Sequence, residues 1–363
     1  MNLFHILAGI LGLGLLVIVH EAGHLLAARA SGMQVLRFSL GIGPELFSYR
    51  SKRSGTIYRV GAIPFLAYVQ IAGMNPFEEI DPDDKTSYAN ASLFARVFAI
   101  LAGPLANYVF ASVLFFIYFA VGGVPTSKPL IEVMDDGPAR AGQMKTGDLV
   151  LAVGGTKVDS WSAMRDQIVK SPGKPLEFDV QRGSERLKLT VTPKNEKNEG
   201  RIGVAPLPKN EPVTLQEAGV KSLVMPYIVV KSSIIGLARV ITLQDPPDFG
   251  GPVRIVNETS KAAREGWLTF VSFLGVLSAY LGGFNALPFP ALDGGRLAFL
   301  GYEAVTRRKP NARIEVVVHA LGFAMLLTLI AVVTFSDTKK VINEHSDGPA
   351  PGGSAAPGTK KPR

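Results

Sequence analysis

Two histidines and a glutamate near the start of the chain carry its clearest chemical signal. His20, Glu21 and His24 lie in the pentapeptide HEAGH, which has the form H-E-x-x-H. On an α-helix, residues four apart lie one turn apart on the same face, so both imidazoles can bind one zinc ion. Zinc lowers the pKa of a bound water to about 7, and Glu21 can take its proton and pass it to a leaving amine. The triplet therefore predicts zinc-dependent hydrolysis.

A catalytic zinc site needs a third protein ligand and keeps a position open for water. The chain has five histidines and no cysteine, so that ligand is a histidine or a carboxylate. His5 lies too many turns before HEAGH, and His319 can be either a ligand or a packed interior residue. Asp293 is the better candidate, because it ends an uncharged apolar stretch in the segment NALPFPALDGG. Two prolines and two glycines break the helix there, with an ordinary turn out of a membrane as the alternative.

Long apolar stretches must position these residues. Four of them have about the 20 residues that a helix needs to cross a bilayer, and they lie at 3–30, 97–123, 267–292 and 316–335. A fifth stretch, 220–241, is interrupted by Lys221, Lys231 and Arg239. We interpret it as an amphipathic surface segment, with a further crossing as the alternative. A removable signal peptide is the alternative for the first stretch.

The position of HEAGH at the end of the first stretch strengthens the prediction. Ionisable groups inside a membrane span are costly and mark functional sites, although a helix end exposed at the interface would also hold them. The chain is 47% hydrophobic and 19% charged, with a net charge of +8. Because its basic residues form no cluster interleaved with aromatics, we assign the positive charge to an anionic membrane surface and predict no nucleic-acid binding.

The remaining sequence divides into two β-rich segments and a tail. Strand-like runs occur at 35–41, 45–50 and 56–73, between the first and second stretches. Alternating runs and turn signals at 124–208 predict an inserted soluble α+β module. We thus divide the chain at 1–123, 124–208, 209–266, 267–335 and 336–363, the last being a tail that composition predicts to be disordered.

Basic residues give the orientation of the predicted spans. The loop after the first stretch and the loop after the third are both rich in lysine and arginine, which places both in the cytoplasm. With four spans, both termini and the 124–266 region then lie on the outer side.

Taken together, HEAGH on a first span and NALPFPALDGG on a later one resemble the site-2 protease family of intramembrane zinc metalloproteases. The segment 137–161, GPARAGQMKTGDLVLAVGGTKVDSW, is similar to a PDZ domain. This combination resembles the bacterial branch that cleaves anti-sigma factors. It implies a polytopic α-helical protein of the bacterial inner membrane, with about four transmembrane helices, a membrane-associated β-hairpin region and one PDZ-like domain on the outer side.

The resemblance also implies roles for individual residues. His20, His24 and Asp293 correspond to the zinc ligands, and Glu21 to the catalytic glutamate. The substrate-binding residues it implies are Asn285, Pro288 and Asn107, the last in a second-span motif that includes Gly103 and Pro104. The β-hairpin region, residues 35–73, is expected to offer a strand edge to an unwound transmembrane substrate.

Some members of the family carry two PDZ domains, whereas 124–207 has room for one. That domain can act as a size filter or bind a substrate tail, and a plain β-rich spacer is the alternative. Two other functions also fit parts of the sequence: a PDZ-containing membrane scaffold or receptor, and a metal transporter with a non-catalytic His/Asp site. Glu21 between the two histidines favours the protease, because neither alternative requires a general base.

Overall fold

The computed structural model describes residues 3–75, 77–196, 198–242, 244 and 250–346. In that part of the chain the helices are α1 (Leu3–Ala30), α2 (Leu93–Gly122), α3 (Pro138–Ala141), α4 (Trp161–Val169), α5 (Leu215–Ile241), α6 (Pro252–Glu265), α7 (Trp267–Asn285), α8 (Asp293–Thr306) and α9 (Ala312–Ser346). The strands are β1 (Val35–Arg50), β2 (Ile57–Ile71), β3 (Val124–Pro125), β4 (Ile131–Val133), β5 (Leu149–Val153), β6 (Thr156–Lys157), β7 (Leu176–Arg182), β8 (Glu185–Val191), β9 (Lys194–Glu196), β10 (Glu199–Arg201), β11 (Val204–Pro206) and β12 (Asn210–Glu211).

The chain forms two compact units, one from the residues before 120 and after 215, the other from 120–215. The first unit is built on α1, α2 and α7. Small residues let the helices approach closely: a Cβ at Gly23 of α1 would overlap the carbonyl of Ala102 in α2. A Cβ at Gly12 would be only 3.0 Å from the side chains of Phe270 and Leu274 in α7. Asn107 of α2 lies beside His20 of α1, and Ser278 of α7 bonds to Asn107. Together with the first contacts, these show that α2 runs antiparallel to α1, whereas α7 runs parallel to it.

β1 and β2 lie between α1 and α2 in sequence, and they confirm the strands predicted at 35–41, 45–50 and 56–73. Both strands fold back on themselves and form four segments in the order 45–50, 57–61, 35–40 and 67–71. The two outer pairs are antiparallel, whereas 57–60 and 37–40 in the middle run in the same direction. The fold-back is tight at Gly41, which has a φ of 83°, and a Cβ there would overlap the carbonyl of Ile63. Segment 67–71 consequently forms an edge of the sheet.

Five helices of the described residues are long and apolar enough to cross a membrane: α1, α2, α5, α7 and α9. Four of them match the predicted spans, and α5 contains the stretch that we interpreted as a surface segment. The protein is therefore a multi-pass membrane protein with a β-rich region. α7 ends at Asn285, before the prolines at 288 and 290, as their helix-breaking effect predicts.

The end of α9 differs from the prediction. The helix continues to Ser346, so a disordered tail does not begin at residue 336. The sequence 336–345 contains neither glycine nor proline, and so nothing in it stops a helix. The remainder of the predicted tail, 347–363, lies outside the described residues.

The second unit is an α+β module, as the alternating runs and turn signals at 124–208 predict. A four-stranded antiparallel sheet has the order β6-β5-β7-β8, and β4 pairs with β11. Its core includes the fully buried side chains of Val150, Met164 and Phe178. Asp148, which is also fully buried, accepts hydrogen bonds from Arg182 at 2.7 and 2.8 Å and thereby links the start of β5 to β7.

Candidate metal centre

His20 and His24 project from the same face of α1, as their spacing predicts. Their Nε2 atoms are 3.2 Å apart, and both side chains are buried. Asp293, the first residue of α8, lies against them: its Oδ2 is 3.0 Å from Nε2 of His20 and 3.3 Å from Nε2 of His24. In the described part of the chain, these three residues form the one cluster of histidine, aspartate or glutamate side chains whose ligand atoms converge for a metal ion.

The loop between α7 and α8, residues 286–292, brings Asp293 to α1. Its backbone folds tightly, with the N–H of Leu292 donating to the carbonyl of Phe289 and the N–H of Gly295 donating to that of Leu292. A Cβ at Gly294 or Gly295 would overlap the carbonyl of Leu287 or Phe289, respectively. The two glycines are therefore required for this loop to pack against the first turn of α8.

The geometry fits a zinc ion. Zinc ligands at about 2.0–2.1 Å in a tetrahedron are separated by about 3.3 Å, and the three ligand atoms here are 3.0 to 3.3 Å apart. Oδ2 of Asp293 is buried and has no hydrogen-bond donor in the described residues. A cation bound between this oxygen and the two imidazoles would compensate for the missing donor. Two imidazoles and one carboxylate also match catalytic zinc sites, which leave a fourth position free.

Backbone and side-chain contacts behind the imidazoles fix their orientation. Nδ1–H of His24 donates to the carbonyl of Ala99 at 2.8 Å, which leaves Nε2 without a proton and able to bind a metal. Gly103, one turn further along α2, lies against the same ring, and a Cβ there would overlap it. The approach of α2 to α1 therefore determines where His24 points.

Asn107 is fully buried and lies behind His20, with its Nδ2 3.4 Å from Nδ1 of the ring. Either end of a carboxamide can face the ring, because the two ends have nearly the same shape. With Oδ1 in that position, it accepts from Nδ1–H of His20, and Nε2 of His20 is free for a metal. Ser278 of α7 donates to the backbone carbonyl of Asn107 at 2.8 Å, so α7 supports this contact.

Glu21 is half-buried and adjoins the sheet. The backbone of Val69 lies near its carboxylate. Val69 belongs to the edge segment 67–71. The carboxylate of Glu21 thus lies near the three candidate ligands and near this strand edge.

The other residues singled out in the sequence have separate locations. Asn285 is the last residue of α7, and Pro288 is exposed in the loop before α8. Pro104 is buried within α2, which continues through it. His319 is not part of the ligand cluster, and its ring lies behind the loop that carries Asp293.

Sequence reasoning missed the backbone groups of Ala99 and Val69 beside the site. Every residue has these groups, so no residue type could have indicated them. The contact between Asn107 and His20 was also missed, although a buried asparagine in an apolar helix is itself a signal of a polar partner.

Comparison with known proteins gives a consistent result. A family model described as peptidase family M50 matches residues 8–329. The chain is 31% identical to zinc metalloprotease RasP of Geobacillus kaustophilus, over 92% of this chain and 98% of that protein. It is 29% identical to zinc metalloprotease RasP of Shouchella clausii, over 93% of this chain and 99% of that protein. It is 27% identical to the regulator of sigma-W protease RasP of Bacillus subtilis, over 93% of this chain and 98% of that protein.

Proposed function

Since the chain belongs to peptidase family M50, the family of site-2 proteases, we propose that it hydrolyses peptide bonds within transmembrane segments of other proteins. It is a zinc metalloprotease, which sets aside the scaffold and transporter interpretations. In this proposal His20, His24 and Asp293 hold the zinc ion, and Glu21 is the general base. The convergence of these three ligand atoms from α1 and α8 is the observation that carries it.

Each group has a defined task in the proposed reaction. Bound zinc supplies a Lewis acid that activates water and polarises the scissile carbonyl. Glu21 accepts a proton from the attacking water and donates it to the leaving amine. The carbonyl of Ala99 and the amide of Asn107 keep the two imidazoles in the tautomer that exposes Nε2.

A transmembrane substrate must lose its helical hydrogen bonds before its peptide bonds can react. We assign the edge segment 67–71 to binding the unwound substrate as an additional strand, because such pairing satisfies the freed backbone groups. The contact between Val69 and Glu21 supports this role, since it places the strand edge beside the base. Asn285 and Pro288, at the end of α7 and in the following loop, are assigned to the other side of the substrate.

The second unit is assigned as a PDZ-like domain that controls access. A groove of ≈ 620 Å³ lies between α4 and the segment that leads into β11, with Trp161, Met164 and Ile168 on the helix side. β11 pairs with β4 and with no other strand of the described residues. An edge strand beside an apolar helix is how PDZ domains hold a peptide.

We place the chain in the bacterial cytoplasmic membrane, with α1 starting and α2 ending on the outer side. The name of the Bacillus subtilis relative connects that protein with sigma-W regulation. A membrane-anchored anti-sigma factor is accordingly the substrate class that we assign to this chain.

The decisive test distinguishes the loss of the general base from the loss of the metal ion. Glu21→Gln keeps the shape of the side chain but cannot accept a proton. We expect it to retain one zinc per chain and to lose cleavage of a reporter transmembrane substrate in proteoliposomes, with zinc measured by atomic absorption. Glu265→Gln, on the exposed face of α6, is the matched control and should cleave normally. Cleavage by Glu21→Gln at the native rate would reject the assigned role.

A further inference from the structure

The residue two positions before Asp293 has an unusual backbone. Ala291 has a φ of 75°, in the left-handed region. A Cβ crowds the following carbonyl in this conformation, which is why glycine normally occupies it. Among the described residues of the first unit, Arg307 is the only other residue besides glycine with a positive φ, and it ends α8 as a C-cap. Ala291 ends no helix, so the surrounding structure must hold it in place.

His319 of α9 makes that contact. Its Nδ1 accepts a hydrogen bond from the N–H of Ala291 at 3.1 Å. This bond requires Nδ1 without a proton, so the ring is neutral and carries its proton on Nε2. The ring of Phe299 lies 5.6 Å from the imidazole, centroid to centroid, and restricts its rotation. The N–H of Ala291 therefore has a fixed acceptor.

Apart from His319, α9 makes few contacts that could hold the loop 286–292 in place. Most of its large apolar side chains are exposed, as on a helix that faces lipid. Gly322, one turn after His319 on the same face, is the second contact: a Cβ there would overlap Pro290. Placing an ionisable side chain such as His319 in a membrane helix costs free energy, and such residues usually mark a functional site. The imidazole of His319 contacts the loop at Ala291, the residue whose backbone is strained.

We propose that His319 is a positioning residue for the metal centre. Through the backbone of Ala291, it sets the direction in which the chain enters α8, and so the direction of the Asp293 carboxylate towards His20 and His24. The inference rests on the proposed role of Asp293 as a zinc ligand. It gives α9 a part in catalysis although α9 contributes no side chain to the ligand cluster.

The test compares two substitutions in the full-length protein in detergent. His319→Leu removes the acceptor, whereas Oδ1 of His319→Asn lies near the position of Nδ1 and can still accept from Ala291. We expect the leucine variant to bind zinc about 10- to 100-fold more weakly in competition with a chelator, the range found for groups that orient metal ligands. The asparagine variant should stay close to the native protein. The visible spectrum of the Co²⁺-loaded protein should change with leucine and not with asparagine.

A second substitution tests the strain directly. Glycine adopts a φ of 75° without crowding, so Ala291→Gly should recover part of the zinc affinity in the His319→Leu background. Leu321→Ala, on the exposed face of α9, is the control and should have no effect. If leucine lowers only the thermal midpoint, or if asparagine weakens zinc as much as leucine does, the inference is wrong.

The variant Asp293→Ala shows whether a negative result concerns the positioning role of His319 or the proposed metal site itself. Unchanged zinc affinity in Asp293→Ala would remove the proposed metal site itself. Weak zinc binding by Asp293→Ala together with native binding by His319→Leu would overturn only the positioning role of His319.

Discussion

At the scale of single residues, the position of the His24 ring depends on a missing side chain. Gly103 of α2 lies against that imidazole, so Gly103→Ala must displace either the ring or the helix. Overpacking of this kind costs about 1–3 kcal/mol. We expect Gly103→Ala to weaken zinc binding, by up to about 100-fold if the ring absorbs the whole displacement. Chelator competition on the purified protein measures this.

Gly301 of α8 provides the matched control, because a Cβ there would meet no atom within 4 Å. Gly301→Ala should bind zinc like the native protein. Equal zinc affinity in Gly103→Ala and Gly301→Ala would show that the ring does not depend on the close approach of α2.

The sequence predicted those parts of the site that depend on the type of a side chain. The spacing of His20 and His24 needs only the helical period, and Asp293 stands out as a carboxylate after an uncharged span. Backbone partners such as the carbonyl of Ala99 could not be identified, because they depend on which turn of α2 faces α1. The strained φ of Ala291 was equally hidden, since alanine does not mark a left-handed position.

At the scale of elements, an ion pair ties the first turn of α2 to α8. Arg96 donates to both carboxylate oxygens of Glu303, at 2.5 and 3.0 Å, and both side chains are nearly buried. Removing one partner of such a pair leaves a buried charge and costs about 3–5 kcal/mol. α8 begins with Asp293, so this pair also anchors the helix that carries the third candidate ligand.

The pair predicts how stability depends on pH. Hydrogen bonds from Arg96 hold the pKa of Glu303 below its ordinary value. The resulting stability is present above the unfolded pKa of about 4.3 and is lost as the pH falls through the lower folded pKa. We expect Glu303→Gln to lower the thermal midpoint at neutral pH. The midpoint of this variant should also decrease less than that of the native protein when the pH is lowered. Glu265→Gln, an exposed control, should follow the native curve; a Glu303→Gln curve identical to it would contradict this.

The elements themselves were largely predictable. Apolar length gave α1, α2, α7 and α9, and alternation gave the strands of both β-rich regions. α8 was not foreseen as a helix, because the basic loop assigned after the third span masked its weak apolar pattern. The fold-back of β1 and β2 into four segments was not predicted. Alternation of apolar and polar residues shows which face of a strand is buried but does not show which strand pairs with it.

At the scale of the whole molecule, the direction of each helix limits how many cross the membrane. α9 and α6 meet where Oδ2 of Asp337 accepts from the N–H of Gly251 at 2.7 Å. This point lies on the side where α1 begins and α2 ends, because α6 also packs against the start of α1, where a Cβ at Gly9 would lie 3.2 Å from Ser260. The chain therefore leaves and re-enters on the same side between α2 and α6.

That constraint decides how α5 can be placed. A complete crossing by α5 would leave residues 242–250 to return across the membrane, and nine residues are too few for a spanning helix of about 20. Irregular backbone cannot face lipid. We therefore propose four complete crossings, with α5 partly inserted from the outer side. Its exposed lysines at 221 and 231 and Arg239 suit contact with anionic headgroups.

The chain contains no cysteine, so single cysteines can report the side of each loop without a prior change. Cysteines at Lys209 and Gln244 flank α5, and cysteines at Lys52 and Arg308 lie in the two basic loops. In intact cells, an impermeant maleimide should label positions 209 and 244 but reach 52 and 308 only after permeabilisation, while the unmodified chain stays unlabelled. Labelling at 209 with protection at 244 would mean that α5 crosses, because the two ends of a spanning helix cannot share a compartment. Labelling at 52 in intact cells would instead reverse the orientation and leave the number of crossings unchanged.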